Sequence, residues 1–90
     1  MIKIRVKQNT IVLFSVIEKG TYGLLNPITR KLHRINETGK FIWEKCIEPR
    51  DTTELAGLVS QNFQIPEDAA QKDVQEFMER MVNFQLFEEM

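Results

Sequence analysis

The stretch Leu24-Leu25-Asn26-Pro27, followed by His33-Arg34-Ile35-Asn36-Glu37-Thr38-Gly39 and by Phe41-Ile42-Trp43, decides the fold of this chain. Two apolar runs flank the turn-forming pair Asn26-Pro27, a pattern typical of a β-hairpin. The second run stops at Asn36, whose side chain can accept hydrogen bonds from the first amides of a helix. The stretch therefore predicts a hairpin that leads, without a linker, into an amphipathic helix.

The residues before this stretch predict two more strands. Ile2 to Val6 alternates apolar and basic side chains, the period of a half-buried or edge strand. Ile11 to Ile17 is a more continuous apolar run that stops at a Glu-Lys-Gly turn. Tyr22 to Leu25 and Lys31 to Ile35 form the two strands of the hairpin. The run from Ile11 onward therefore predicts a three-stranded antiparallel meander.

Three helices are expected after the strands. The first begins after Asn36 and ends at Pro49, and Pro66 lies in the first turn of the third. The second begins with a capping box, because the carboxylate of Asp51 is followed three residues later by Glu54. The third helix carries the clearest apolar stripe of the chain, formed by Ala70, Val74, Phe77, Met78, Met81 and Val82.

The composition is that of one ordinary globular domain. The chain has 90 residues, of which 42% are hydrophobic and 28% are charged. We therefore expect a single α+β domain over residues 1–90, winged-helix-like, with a three-stranded antiparallel sheet followed by three helices. No apolar run is long enough for a membrane span, and the N-terminus lacks the apolar centre of a signal peptide. The expected location is cytoplasmic.

The residues that carry chemistry are too few for an active site. Cys46 is the single cysteine and His33 the single histidine, so neither an internal disulfide nor a cysteine-cluster metal site can form. A catalytic histidine needs an oriented partner and a nucleophile, which this sequence does not offer. We expect no catalytic residue, no metal, no cofactor and no enzymatic activity. Cys46 is expected to be a small buried hydrophobic residue.

The charges are distributed unevenly along the chain. Residues 1–36 hold seven basic residues and one acidic residue, whereas residues 37–90 hold five basic and twelve acidic residues. The predicted strands are therefore basic and the predicted helices acidic. One interpretation is a binding groove with a basic and an acidic side, and the other is an ordinary solvated strand face.

The quoted motifs resemble those of the PqqD-like family, named after the coenzyme pyrroloquinoline quinone synthesis protein D, whose members are also described as RiPP recognition elements. The similarity is carried by "LNP", "HRINETGKFIWE" and the later "DVQEFM" and "FQLFE" at these separations, and spans roughly Val12 to Phe87. It implies a peptide chaperone. Such a domain captures the leader segment of a ribosomally made precursor peptide and presents it to a modifying enzyme.

The residues themselves favour the same mode of binding. The strand Lys31 to Ile35 should leave one edge free, so its backbone can pair with an extended peptide while the third helix offers pockets for alternate side chains. Some candidate residues also have an interpretation without peptide contact. Phe77 can be a core residue, Arg34 a solvated side chain, and Asp73 and Arg80 a surface pair. The candidate peptide-binding residues are Leu32, His33, Arg34 and Ile35 on the strand, and Asp73, Glu76, Phe77 and Arg80 on the helix.

Two other functions compete with peptide binding. A winged-helix nucleic-acid binder would need basic side chains on a recognition helix, but Thr52 to Asn62 contains no lysine or arginine. A structural subunit of an enzyme complex would bind a partner without affinity for a free leader. The expected partners are the leader peptide and a modifying enzyme such as a radical SAM enzyme, a leader peptidase or a cyclase, with no nucleic acid and no membrane. A homodimer formed through the free strand edge is a further option.

Overall fold

The predicted α+β fold is confirmed. The computed structural model describes residues 4–90. The strands are β1 (Arg5–Gln8), β2 (Leu13–Glu18), β3 (Thr21–Asn26), β4 (Lys31–Ile35), β5 (Arg50–Asp51) and β6 (Phe87–Glu89), and the helices are α1 (Glu37–Lys45), α2 (Thr52–Phe63) and α3 (Glu67–Asn83).

The larger sheet is the predicted antiparallel meander, with strand order β2-β3-β4. The bounds of β4 agree with the prediction, and those of β2 and β3 differ by one or two residues. In this register Leu24 lies opposite His33, and Leu25 lies opposite Leu32. Because β3 is the central strand, β4 lies at one edge of the sheet. The C-terminal end of β4 leads directly into α1.

A second sheet, with order β5-β1-β6, was not predicted. Its flanking strands are two and three residues long, too short to show an alternating pattern in the sequence. The predicted first strand, Ile2 to Val6, is shifted toward the C-terminus, since β1 begins at Arg5. Residues 2 and 3 lie outside the described residues. This sheet fastens the two ends of the domain together, because Val6 pairs with both Arg50 and Glu89.

The helix termini follow the predicted capping chemistry at two of three starts. The Asn36 side chain accepts a hydrogen bond from the Gly39 amide at 2.9 Å, and Asp51 and Glu54 form the capping box. Pro66 is the residue before α3 rather than part of its first turn. The predicted end of α1 at Pro49 was also wrong, because the helix stops at Lys45 and Cys46 caps it.

The core lies between the helices and the inner face of the larger sheet. Leu24 of β3, Ile42 of α1, Leu55 of α2 and Met78 of α3 are almost completely buried. Trp43 stacks on Phe87 with ring centroids 5.8 Å apart, which packs β6 against α1. The apolar stripe of α3 is confirmed as core at Ala70, Val74, Met78 and Met81, whereas Phe77 and Val82 are half-buried.

The outer face of the larger sheet is exposed and apolar. Leu13, Leu25 and Leu32 form a row across β2, β3 and β4 in register. Leu13 is 59% exposed and Leu32 53% exposed. The helices therefore cover one face of this sheet, which agrees with the antiparallel pattern of one packed face and one open face. Within residues 4–90, no helix is long and apolar enough to cross a membrane.

Asn26 ties the hairpin to the chain that follows α3. Its amide nitrogen donates to the Gln85 carbonyl at 2.8 Å, and its side-chain oxygen accepts from the Ile28 amide at 2.9 Å. The Asn9 side chain donates to the same Gln85 carbonyl at 3.0 Å. Asn26 itself is 1% exposed, so its side-chain amide is shielded from water. One buried amide thus shapes the β3–β4 turn and fixes its position relative to α3.

Replacing Asn26 by alanine should destabilise the domain by about 2 kcal/mol, because the Gln85 carbonyl loses one of its two side-chain donors and the Ile28 turn amide loses its acceptor. Urea unfolding followed by circular dichroism measures the change. Asn62→Ala, at an exposed position in α2, is the matched control and should cost less than about 0.5 kcal/mol. Equal costs for the two variants would contradict the role given to Asn26.

Cys46 should be unreactive in the folded protein. It is fully buried, and this burial raises the pKa of its thiol to about 12, so very little thiolate is present at neutral pH. A coloured disulfide reagent should label it only as fast as the domain opens. The same reagent should label the chain at once in guanidinium chloride, and immediate labelling without denaturant would contradict this placement.

Candidate functional site

A groove lies between β4 and the C-terminal half of α3. Its volume is about 410 Å³. Residues of α1 and residues of the segment after α3 also line it. The lining residues are His33, Arg34, Ile35, Asn36, Thr38, Gly39, Ile42, Asp73, Glu76, Phe77, Arg80, Met81, Phe84 and Leu86.

One side of the groove is the edge of β4. This strand pairs with β3 on one side, and within residues 4–90 no strand pairs with its other side. The N–H and C=O groups along such an edge point away from the sheet and can pair with another extended chain. The predicted free edge at Lys31–Ile35 is therefore present, and it faces the groove.

The bottom of the groove is apolar and depends on a glycine. A Cβ atom on Gly39 would lie 3.0 Å from the Ile35 Cβ and 3.1 Å from the Phe77 ring. Such contacts are tighter than almost all real Cβ contacts, so any other residue here would have to displace Ile35 or Phe77 by a few tenths of an ångström, and glycine lets α1 approach β4 and α3 without that shift. Ile42 and Met81 are buried beneath this contact. A small pocket with an aromatic surface results.

Phe77 contributes to both the core and the groove. Its ring meets Phe87 edge-on with centroids 6.2 Å apart, and the Arg80 guanidinium lies 6.0 Å from its centroid. The ring is half-buried and lines the groove. The two interpretations of Phe77 from the sequence, as core and as groove residue, are therefore compatible.

His33 joins β4 to the end of α3. Its imidazole stacks on the Phe84 ring with centroids 4.4 Å apart. Partial burial lowers the pKa of His33 below its usual 6.5, and the nearby charge of Lys31 lowers it further. At neutral pH the imidazole is therefore uncharged, and it presents a flat ring to the groove.

Three charged side chains line the groove. Asp73, Glu76 and Arg80 on α3 are all exposed, and Arg34 is exposed on the neighbouring strand β4. The salt bridges found within residues 4–90 join Lys7 to Glu88 and Arg50 to Glu54, away from the groove. The sequence alternative of an Asp73–Arg80 surface pair is thus not seen in the described part of the chain. These charges remain available to a ligand.

The structure gathers seven of the eight predicted site residues around this groove. The exception is Leu32, which alternation along β4 places on the opposite, outer face of the sheet. Arg34 borders the groove through its position on the β4 edge, but the same alternation places its side chain on the outer face with Leu32. Gly39 and Phe84 were missed by sequence reasoning, although both stand inside the segments that carried the family resemblance. Whether these residues bind a peptide remains a prediction.

The described residues show little that could perform chemistry. Within residues 4–90, no group of three or more histidine, cysteine or acidic side chains is placed to hold a metal ion. The single thiol is buried away from the groove. What the groove does offer is backbone pairing, an apolar pocket and charges of both signs, which are the means of recognising an extended peptide.

Comparisons with known proteins agree with this geometry. The family model of coenzyme PQQ synthesis protein D (PqqD) matches residues 22–86, which include the hairpin and all three helices. A solved structure described as TbiB1 in complex with the TbiA(beta) leader peptide has a TM-score of 0.77 and 20% sequence identity, and the alignment covers 91% of this chain and 94% of that one. At this identity the likeness shows a shared fold. No curated protein matches the sequence.

The stability of the domain should fall as the pH drops through the region of the His33 pKa. Because the pKa is lowered in the folded state, the unfolded chain binds more protons there, so the free energy of unfolding decreases on acidification below about 6.5. An NMR titration of the imidazole C–H signals measures the pKa. Phe84→Ala should move the midpoint toward 6.5 by exposing the ring, and a midpoint above 6.5 in the unchanged protein would contradict this environment.

Proposed function

Because this chain belongs to the PqqD family, we propose that it is a non-catalytic recognition domain for the leader segment of a ribosomally made precursor peptide. The leader adds as a strand to β4, lies in the groove against α3, and is presented there to a modifying enzyme. One observation carries the proposal. The unpaired edge of β4 lies directly beside an apolar pocket of the same groove.

The two sides of the groove have different roles in recognition. Backbone pairing along the five residues of β4 supplies affinity for any extended chain. Alternate side chains of an added strand point to opposite faces of the sheet, so every second one enters the groove. There it meets Phe77 and the pocket above Gly39, which select apolar side chains by size.

The structural neighbour supports this assignment by analogy. It shares the fold, and its description names a leader peptide as its ligand. The family model of coenzyme PQQ synthesis protein D matches a range that includes β4, Gly39 and Phe77. The residues of the groove therefore lie within the part of the chain that the family shares. The partner enzyme follows as part of the proposal, because a domain that binds a precursor without chemistry of its own needs a catalyst to receive it.

Arg34→Glu provides a specific test of the proposed site. The residue is exposed on β4, so the change should leave the free energy of unfolding within about 0.5 kcal/mol. It should weaken leader binding roughly three- to tenfold, because a charge at the rim of the ligand is reversed. Isothermal titration calorimetry measures the dissociation constant, with the leader of a short precursor encoded beside this protein as ligand.

Lys19→Glu is the matched control, since it makes the same charge change at an exposed position in the β2–β3 turn, outside the groove. It should leave the dissociation constant unchanged. An NMR titration of the same leader should shift the amides of Lys31–Ile35. Shifts confined to β1, β5 and β6, or equal weakening by both variants, would contradict the proposed site.

A further inference from the structure

The groove has a direction that can be derived from two contacts. His33 stacks on Phe84, at the end of α3. Ile35, two residues further along β4, and Phe77, two turns earlier in α3, meet at the Gly39 position. Moving from Lys31 to Ile35 therefore means moving backward along α3, so the strand and the helix that line the groove run in opposite directions.

The charges of the groove are separated along this axis. Arg80 lies between Phe77 and Phe84 on α3 and lines the groove, whereas Arg34, two residues after Leu32, has its side chain on the outer face of the sheet. Glu76 and Asp73 lie beyond Arg80, toward the start of α3 and the α1 end of the groove. The sequence suggested a basic strand side and an acidic helix side, but the structure instead shows a basic end and an acidic end.

The spacing of these charges suits an extended chain. At 1.5 Å per helical residue, Arg80 stands about 6 Å from Glu76 and about 10 Å from Asp73 along the axis of α3. Side chains on one face of a strand recur about every 7 Å. An acidic and a basic side chain two to four residues apart in a bound strand can therefore reach opposite ends of the groove.

The sheet favours one direction for the added strand. β4 is already paired antiparallel with β3, and antiparallel pairs are slightly more stable per residue than parallel ones. A strand antiparallel to β4 runs in the same direction as α3. Its N-terminal part then lies beside Asp73 and Glu76, and its C-terminal part lies beside Arg80.

We infer that the groove selects leader segments by charge order: a basic side chain, then apolar side chains over Phe77, then an acidic side chain toward the C-terminus. This rests on the proposed function and deepens it by naming the class of segment bound. Within the described residues no salt bridge engages Asp73, Glu76 or Arg80, so ligand charges of the opposite sign would complement both ends.

A random dodecapeptide library displayed on messenger RNA tests the charge order without knowledge of the natural ligand. After selection on the immobilised full-length protein, sequences with the basic residue before the acidic one should outnumber the reverse order by about tenfold, the combined effect of several exposed charge pairs. Binding at β4 is checked by the amide shifts that one selected peptide causes in residues 31–35.

A charge-exchanged variant supplies the decisive comparison. Arg80→Glu together with Glu76→Lys conserves the net charge and changes only exposed residues of the groove. This variant should select the opposite order, a result that a misfolded protein cannot give. The control exchanges Lys72→Glu and Glu79→Lys, which lie on α3 outside the groove, and should keep the original order.

The outcomes separate this inference from the proposed function. Selected peptides that shift residues 31–35 but show no charge order, or an order that the charge-exchanged variant does not reverse, overturn the inference and leave the binding site standing. A selection that enriches nothing, or peptides that bind away from β4, overturns both. Enrichment with the stated order and its reversal supports both.

Discussion

The structure depends most on the hydrogen bonds of the buried Asn26 side chain. This residue fixes the β3–β4 turn through the Ile28 amide and holds the Gln85 carbonyl directly after α3. The groove has β4 on one side and α3 on the other, so its width is set by a contact that joins the two. Gln85 has a φ of +58°, a left-handed conformation that costs a non-glycine residue energy. In this conformation the Gln85 carbonyl accepts hydrogen bonds from both Asn9 and Asn26.

An open strand edge is normally a risk for a small protein, because it pairs with other chains without selection. Here α3 stands across from the β4 edge, so a chain that pairs with β4 must also fit between Phe77, Phe84 and the flanking charges. The same helix that packs the core through Val74 and Met78 thus restricts what the edge can bind. In this way a domain of 90 residues joins backbone affinity to side-chain selection.

The sequence determined the parts of the fold that depend on neighbouring residues. Each of these features depends on residue types at fixed spacings within one short segment, so it can be recognised from the sequence alone. They are the Asn-Pro turn, the Asn36 cap, the capping box at Asp51 and the apolar stripe of α3. Seven of the eight proposed site residues lie around one groove for the same reason, since β4 and α3 were identified with nearly correct bounds. The prediction was wrong for the side chain of Leu32, and Arg34 only borders the groove, because alternation along β4 places both side chains on the outer face of the sheet.

Only the tertiary structure decided what depends on residues far apart in the chain. The β5-β1-β6 sheet forms because folding brings Val6 between two very short segments, neither of which has a strand pattern of its own. Gly39 matters through its contact with Phe77, and His33 through Phe84, and neither pair can be derived from local spacing. The lengthwise order of the groove charges also required the structure, because a sequence gives the sign of each element but not the direction in which two elements cross.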